Sequence, residues 1–450
     1  MLMNHRRLLV YGYSVYVWAG LLVSAAAVAQ DRRQVAEPTL PRNVCTTLEP
    51  ASDSSSRNDT LRIQDAINRC PAGAAVHLAS GRFISGPLTF KSGVTLWVDR
   101  DAVLAASTDP RVYDKDGHCG SIDDKGNGCR PFILFRGTQG GGIVGEGVID
   151  GQGGETMVGH KETWWQLARR AQTEGGRQNV PRLIEVDNSR DITFYQITLH
   201  NSPNFHVALK GVEGATFWGI RIDTPADARN TDGIDPGASQ DVTITHSFIR
   251  TGDDNVAIKA GSGTTSHISL IDNHFYWGHG LSIGSETVGG VSDILVQNLT
   301  LDGTTSGLRI KSDVSRGGLV RNVRYEHICL RDNRRPLDFD THYTPNARGN
   351  QIPVYRNIIL RDVVGTSGNL VLRGFDAAHP LGIMLDGVRF NMDAHWQVEF
   401  AQIQTGPEGT RPALPGKPLG TNVYVGCSQR WVPFPAKNKE QTFPAIPIKR

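Results

Sequence analysis

The amino-acid sequence predicts an all-β chain wound into a right-handed parallel β-helix with a short N-terminal capping helix. Three observations lead there: β-rich runs that recur at near-constant spacing, four segments between them that share one pattern, and a composition of 50 glycines and 7% aromatic residues that does not suit a helical bundle. The runs start at Ile192, Ala215, Val242, Ile268, Ile294 and Val323, at intervals of 23, 27, 26, 26 and 29 residues. Asp191, Asp241 and Asp293 precede three of them. A repeat of this length built from a few short strands is the pattern of a solenoid, whose coils rise by one strand spacing of about 4.8 Å. Two packed β-sandwiches would also supply many short strands, but not the in-register column described below.

Taken in order, the chain opens with His5-Arg6-Arg7, an apolar run from Leu8 to about Val23, and the small residues Ala27-Val28-Ala29. That order reads as a secretory signal over 1–29, removed after Ala29. A membrane anchor is the alternative, but Tyr11, Gly12, Tyr13 and Ser14 interrupt the run and no stop-transfer flank follows. Within residues 60–70, Ile63, Ala66 and Ile67 stand at helical spacing, as expected of an amphipathic helix covering the open end of the core. Six cysteines in an exported chain read as three disulfides. Cys45 and Cys70 bracket the helix, and Cys119 and Cys129 bracket a Gly/Asp-rich loop. Cys329 and Cys427 remain, with no further argument for their pairing. Metal ligation is not supported by any C-x-x-C pair or His spacing. An insertion around 155–175 holds a helical-looking stretch, Glu162 to Ala168, whose Trp164 and Trp165 read as packing residues. The β-helix is expected over 30–404, and the Pro- and Gly-rich segment 405–450 reads as an irregular tail.

The four matching segments are Asp232-Gly-Ile-Asp235, Asp254-Asn-Val-Ala257, His279-Gly-Leu-Ser282 and Ser306-Gly-Leu-Arg309. Their first positions are 22, 25 and 27 residues apart, close to one coil each. The third position is always aliphatic and is expected to face the core. Side chains alternate along a strand, so the first and fourth positions share a side only if a turn intervenes, and the small second residue suits such a bend. In that register Asp232, Asp254 and His279 stack in one outward column, joined by Asp253. Arg309 and Lys311 flank Ile310 at period two and face outward beside it. Stacked Asp and Asn in solenoid turns can serve hydrogen bonding alone. That reading covers one Asp per coil, but not a consecutive pair with His, Arg and Lys alongside. Clustered carboxylates can share a proton through mutual repulsion, so that one donates to a leaving oxygen while another draws a proton from water. The cations suit an acidic sugar.

At these residues the sequence resembles glycoside hydrolase family 28, the polygalacturonases. The motifs are Asn230-Thr231-Asp232-Gly233, Gly252-Asp253-Asp254, Gly278-His279-Gly280 and Arg309-Ile310-Lys311. Each alone is weak, but together and in this order they are specific. The similarity runs from about Cys45 to about Trp396 and is closest to the bacterial endo-acting branch, which Asn201 to His206, Ser285-Glu286 and Asp340 to Tyr343 also match. The resemblance implies a pectin-lyase-like solenoid and an inverting hydrolysis of α-1,4-galacturonosidic bonds. Asp253 is then the general acid, with Asp232 and Asp254 activating water and His279 setting the acid's protonation. Arg309, Lys311, Tyr343 and Asn204 bind substrate, and Asp235 supports the site. No cofactor and no metal are implied.

The charge balance narrows the partners. The chain has 47 Lys and Arg against 45 acids, and two of the arginines lie in the leader. A nearly neutral remainder argues against nucleic acid, and no later stretch suits a membrane span. The expected product is a secreted, monomeric enzyme acting on polygalacturonate or pectin. Exo-cleavage is the nearest rival; it calls for extra loops closing one end of the groove, and only one modest insertion is present. Pectate lyase chemistry would need a calcium site among the acids and an Arg base. A non-catalytic carbohydrate-binding solenoid would tolerate amides in place of the acids.

Overall fold

The computed structural model describes residues 30–50, 58–421 and 426–436; the expected signal over 1–29 lies outside them. The chain coils into a parallel β-helix. Among the described residues, eleven parallel strands, each bonded to its neighbours in coil order, run from Leu88–Phe90 to His395–Glu399 and form one wall. An eighteen-stranded sheet forms the other walls, and Ile122–Asp123 pairs with Arg177–Gln178 apart from both. Several strands of the larger sheet, such as Thr265–Phe275 and Gly318–Arg331, are long enough to turn a corner.

The register is the one that the repeat spacing predicts. Ile192, Ala215, Val242, Ile268, Ile294 and Val323 pair one above the next. Ile234, Val256, Leu281 and Leu308 do the same on the other wall, and all four are fully buried. Each such aliphatic side chain contributes roughly 1.5–3 kcal/mol by leaving water. The recurring Asp before the runs has a backbone reason. Asp191, Asp241 and Asp293 have φ of 55°, 56° and 62°, and His267 and Asn322 take the same left-handed turn at that corner. Asp and Asn tolerate this conformation better than other residues with a Cβ.

The helix over Thr60–Arg69 buries Ile63 and Ile67 against the first coils. Gln64 bonds both the N–H and the C=O of Thr89, and the Cys45–Cys70 disulfide anchors the helix end. The insertion carries a helix over Trp164–Glu174 that starts in a reciprocal Thr163–Gln166 capping box and stops at left-handed Gly175. Trp164 is buried edge-on to Tyr113, and Trp165 donates its indole N–H to the Ser202 carbonyl at 2.9 Å. Both tryptophans pack. Cys119–Cys129 and Cys329–Cys427 are also bonded, completing the three expected pairs.

Sheet continues past residue 404, in Ala401–Thr405 and Thr410–Arg411. Beyond it, the described stretch 426–436 has no regular structure but is fastened to the outer wall. Arg430 donates to the His327 carbonyl at 2.6 Å, the Val432 carbonyl accepts from the Tyr276 hydroxyl at 2.9 Å, and Phe434 lies 3.9 Å from the Arg250 guanidinium. Cys329 and Cys427 are 98 residues apart, so their bond removes much of the unfolded chain's freedom. Cys427→Ser is therefore expected to lower the unfolding free energy by about 2–4 kcal/mol, read by denaturant titration. An unchanged transition would mean that the clasp contributes nothing.

Candidate active site

The site is built on the ribbon of turns that feeds the eleven-stranded wall. Asp232, Asp254 and His279 each stand two residues before a core aliphatic, outside the strands that start at Ile234, Val256 and Leu281. A turn thus intervenes between the first and fourth positions, as the alternation requires. Backbone bonds lock the turns together: Gly233 N–H to the Asp254 carbonyl at 2.9 Å, Asn255 N–H to that of Gly280 at 3.0 Å, and His279 N–H to that of Asp253 at 2.8 Å. Asn255 is more than a small residue. Its buried amide donates to the Ile249 and Trp277 carbonyls and accepts from Gly280 N–H. Gly280 sits at φ 84°, where a Cβ would lie 2.1 Å from the Ser306 carbonyl oxygen. The bend therefore requires glycine.

These turns bring the expected residues together. Asp253 Oδ1 accepts from His279 Nδ1 at 2.9 Å and from the N–H of Asp254 at 2.9 Å. Asp254 accepts from Lys311 Nζ at 2.7 Å and from the Ser282 hydroxyl at 2.8 Å. Arg309 lies 3.9 Å from Asp254 and 3.2 Å from Asp338. The Tyr343 ring sits 5.1 Å from the Arg309 guanidinium and 5.3 Å from Lys311 Nζ. Asn204 lies in the turn before Val207, one coil below Asp232, where its side-chain oxygen accepts from the N–H of Phe205. The column is less exposed than its outward register suggests. Asp232 and Asp254 are 4% and 2% accessible, because Lys259 from the next coil closes over Asp232 and Lys311 from two coils on closes over Asp254. Asp253 and His279 keep an open side, with 20% and 39% of their side chains exposed.

Electrostatics divides the carboxylates. Burial, reinforced by Asp235, Asp253 and Asp254, raises the Asp232 carboxyl well above its usual range, against the pull of Lys259. Burial also raises Asp235, to about 6, again opposed by Lys259. Asp253 is pushed up by burial too, but the His279 hydrogen bond, the charge of His279 and that of Lys311 outweigh it and hold the carboxyl at about 2. His279 is lowered by burial and raised further by Asp253, for a net rise above 6.5. Two acids in one patch therefore have opposite proton affinities: in the free protein Asp232 holds a proton tightly, while Asp253 is ionised beside His279.

Lys259 was not among the residues singled out from sequence. Its Nζ lies 2.6 Å from Asp235 and 3.2 Å from Asp232, over the Phe205 ring at 4.3 Å. A signal for it existed. Lys259 follows Ile258 as Lys311 follows Ile310, two coils apart with Gly284 between. Ser282 and Asp338, which orient Asp254 and Arg309, carried no such signal. His206 is buried, donates to the Asp232 carbonyl at 3.0 Å and contacts the Thr224 hydroxyl at 2.7 Å. Burial lowers it to about 4, so it works as a neutral spacer that fixes the Asp232 turn. Asp253, Asp254 and His279 offer ligand atoms within 4.8 Å of one another, which is metal-like spacing. Lys311 and the His279–Asp253 bond already engage those atoms, so the cluster is charge-balanced by the protein's own cations.

A solenoid that gathers three carboxylates, an imidazole and two cations onto one ribbon of turns defines an acid/base hydrolase of glycosidic bonds. The comparison with known proteins makes this specific. The chain belongs to Glycosyl hydrolases family 28, whose profile matches residues 79–406. An endo-polygalacturonase of Pectobacterium parmentieri is 43% identical over 390 residues, covering 85% of this chain and 95% of its own. A polygalacturonase of Ralstonia solanacearum is 38% identical over 522 residues, covering 96% and 98%. The solved polygalacturonase from Erwinia carotovora ssp. carotovora superposes with a TM-score of 0.80 at 43% identity, covering 83% of this chain and all of its own.

Proposed function

We propose that the protein is an exported endo-polygalacturonase that hydrolyses α-1,4-galacturonosidic bonds with inversion. The observation that carries this is the convergence of Asp232 on one coil with Asp253 and Asp254 on the next, beside His279, Arg309 and Lys311. The named activity of relatives that share most of the chain supports the substrate. Three disulfides fit an oxidising compartment.

Asp253 is the general acid. In the free protein its proton resides on His279, across a 2.9 Å bond. A uronate carboxylate arriving at Arg309 and Lys311 offsets the positive field of Lys311 on Asp253 and excludes water. Both changes raise the proton affinity of Asp253 and favour transfer from imidazole to carboxyl, and then to the leaving oxygen. Asp232 and Asp254 draw the proton from water on the opposite side. Inversion calls for about 6.5–9.5 Å between acid and base, a span of one to two coils. Tyr343 supports the two cations from its ring face, and Asn204 lines the approach from the preceding coil.

Purified protein incubated with de-esterified polygalacturonate is expected to release reducing ends, with long oligomers first. Monomer or dimer alone from the start would point to exo-cleavage. An unsaturated, chelator-sensitive product would point to a lyase. The pH profile of kcat/KM is expected to rise as Asp232 ionises and fall as the His279–Asp253 pair loses its proton. His279→Ala removes the imidazole whose pKa is raised above 6.5 and leaves the proton to a carboxyl alone. The alkaline limb therefore moves to lower pH; an unmoved limb would separate His279 from the acid.

A further inference from the structure

We infer that Arg229, held by Gln178, is a second uronate-binding cation on the Asp253 side of the cleaved bond, opposite Arg309 and Lys311. This rests on the polygalacturonase reading and adds to it. A bond between two uronates has a carboxylate on each flank, whereas Arg309 and Lys311 both lie against Asp254. On the other side the turn before Asp232 carries Arg229. Its guanidinium donates to Gln178 Oε1 at 2.9 Å, Gln178 donates to Asn230 Oδ1 at 2.9 Å, and the Asn230 amide reaches Asp253 Oδ2 at 3.5 Å. A continuous polar chain thus runs from Arg229 to the general acid. Asn230 holds its side chain there from a left-handed φ of 58°.

Arg229 is half-buried, and among the described residues no carboxylate lies within ion-pair distance of it. Its preference for the charged state is weakened by burial and supported chiefly by Asp253. A desolvated guanidinium without an acid partner is an arrangement that a planar carboxylate completes. The insertion also gains a purpose. The helix over Trp164–Glu174 leads directly into Arg177–Gln178, a strand pinned antiparallel to Ile122–Asp123, and this places Gln178 under Arg229. The segment that looks like surface decoration delivers the residue that aims the cation.

Arg229→Gln, Arg229→Lys and Gln178→Leu test this on oligogalacturonates that are de-esterified or carry methyl esters at known positions, with products mapped by mass spectrometry. Wild type is expected to cut only where both flanking uronates are free. Arg229→Gln should lower kcat/KM on the de-esterified oligomer roughly 10- to 100-fold, as loss of a charge-assisted bond predicts, and accept an ester on one flank only. Arg229→Lys should recover part of the rate, and Gln178→Leu should mimic Arg229→Gln more weakly. A variant within twofold of wild type, or a loss of rate with an unchanged ester map, overturns the assignment. Failure of wild type to release reducing ends would instead overturn the polygalacturonase reading.

Discussion

Asp253→Asn is expected to lower kcat on polygalacturonate by roughly 100-fold or more while KM moves little, because the amide keeps the shape of the site but has no proton to give. It keeps an acceptor oxygen for the His279 Nδ1 and Asp254 N–H bonds, both 2.9 Å long, so the turn should persist. Circular dichroism and the unfolding midpoint serve as controls. Initial rates of reducing-end release decide the matter. Near-normal hydrolysis would remove Asp253 from its role.

Lys259→Met is the second large effect, and it falls on stability as well as rate. Two nearly buried carboxylates share this ammonium, at 2.6 and 3.2 Å. Removing it strands them, at a cost of about 3 kcal/mol, toward the lower end for broken buried pairs because 21% of the lysine side chain reaches solvent. The sign of the pH dependence follows from the raised carboxyl values. Asp232 and Asp235 bind protons more tightly folded than unfolded, so they stabilise least once the pH exceeds their folded pKa values. Loss of Lys259 raises those values further. The deficit of the variant should be small below the unfolded value of 3.8 and grow as the pH passes about 6, with the acid limb of the rate profile displaced to higher pH. Lys259→Arg should restore most of both. Denaturant midpoints taken at acid and neutral pH measure the difference. A deficit that does not depend on pH would show that Lys259 acts by packing rather than by charge.

Much of the fold was legible because a solenoid repeats its own instructions. An aliphatic residue every 22 to 27 positions is a statement about register, and register in a parallel wall decides which turns lie over which. Asp232, Asp254 and His279 could thus be placed together, although nothing in the linear chain brings them close. Arg309 and Lys311 were readable for the same reason, from period two around a core isoleucine. Lys259 obeyed that rule as well, but it stood in a segment read for its acids. The docking of 426–436 was not legible. Its Pro- and Gly-rich composition has no period, and its anchors are single long-range contacts such as Arg430 with the His327 carbonyl.

Coil length, the inward column, the two locally spaced disulfides and the set of groups on one ribbon of turns could all be read from the amino-acid order. These depend on periodicity and covalent order, which a linear string contains. The folded chain was needed to show that Cys329 meets Cys427, that Asp232 and Asp254 lie recessed under lysines, that His279 holds Asp253 down at about 2, and that Gln178 reaches Arg229. Desolvation and charge compensation depend on how side chains from different coils cover one another, and no spacing along the chain encodes that.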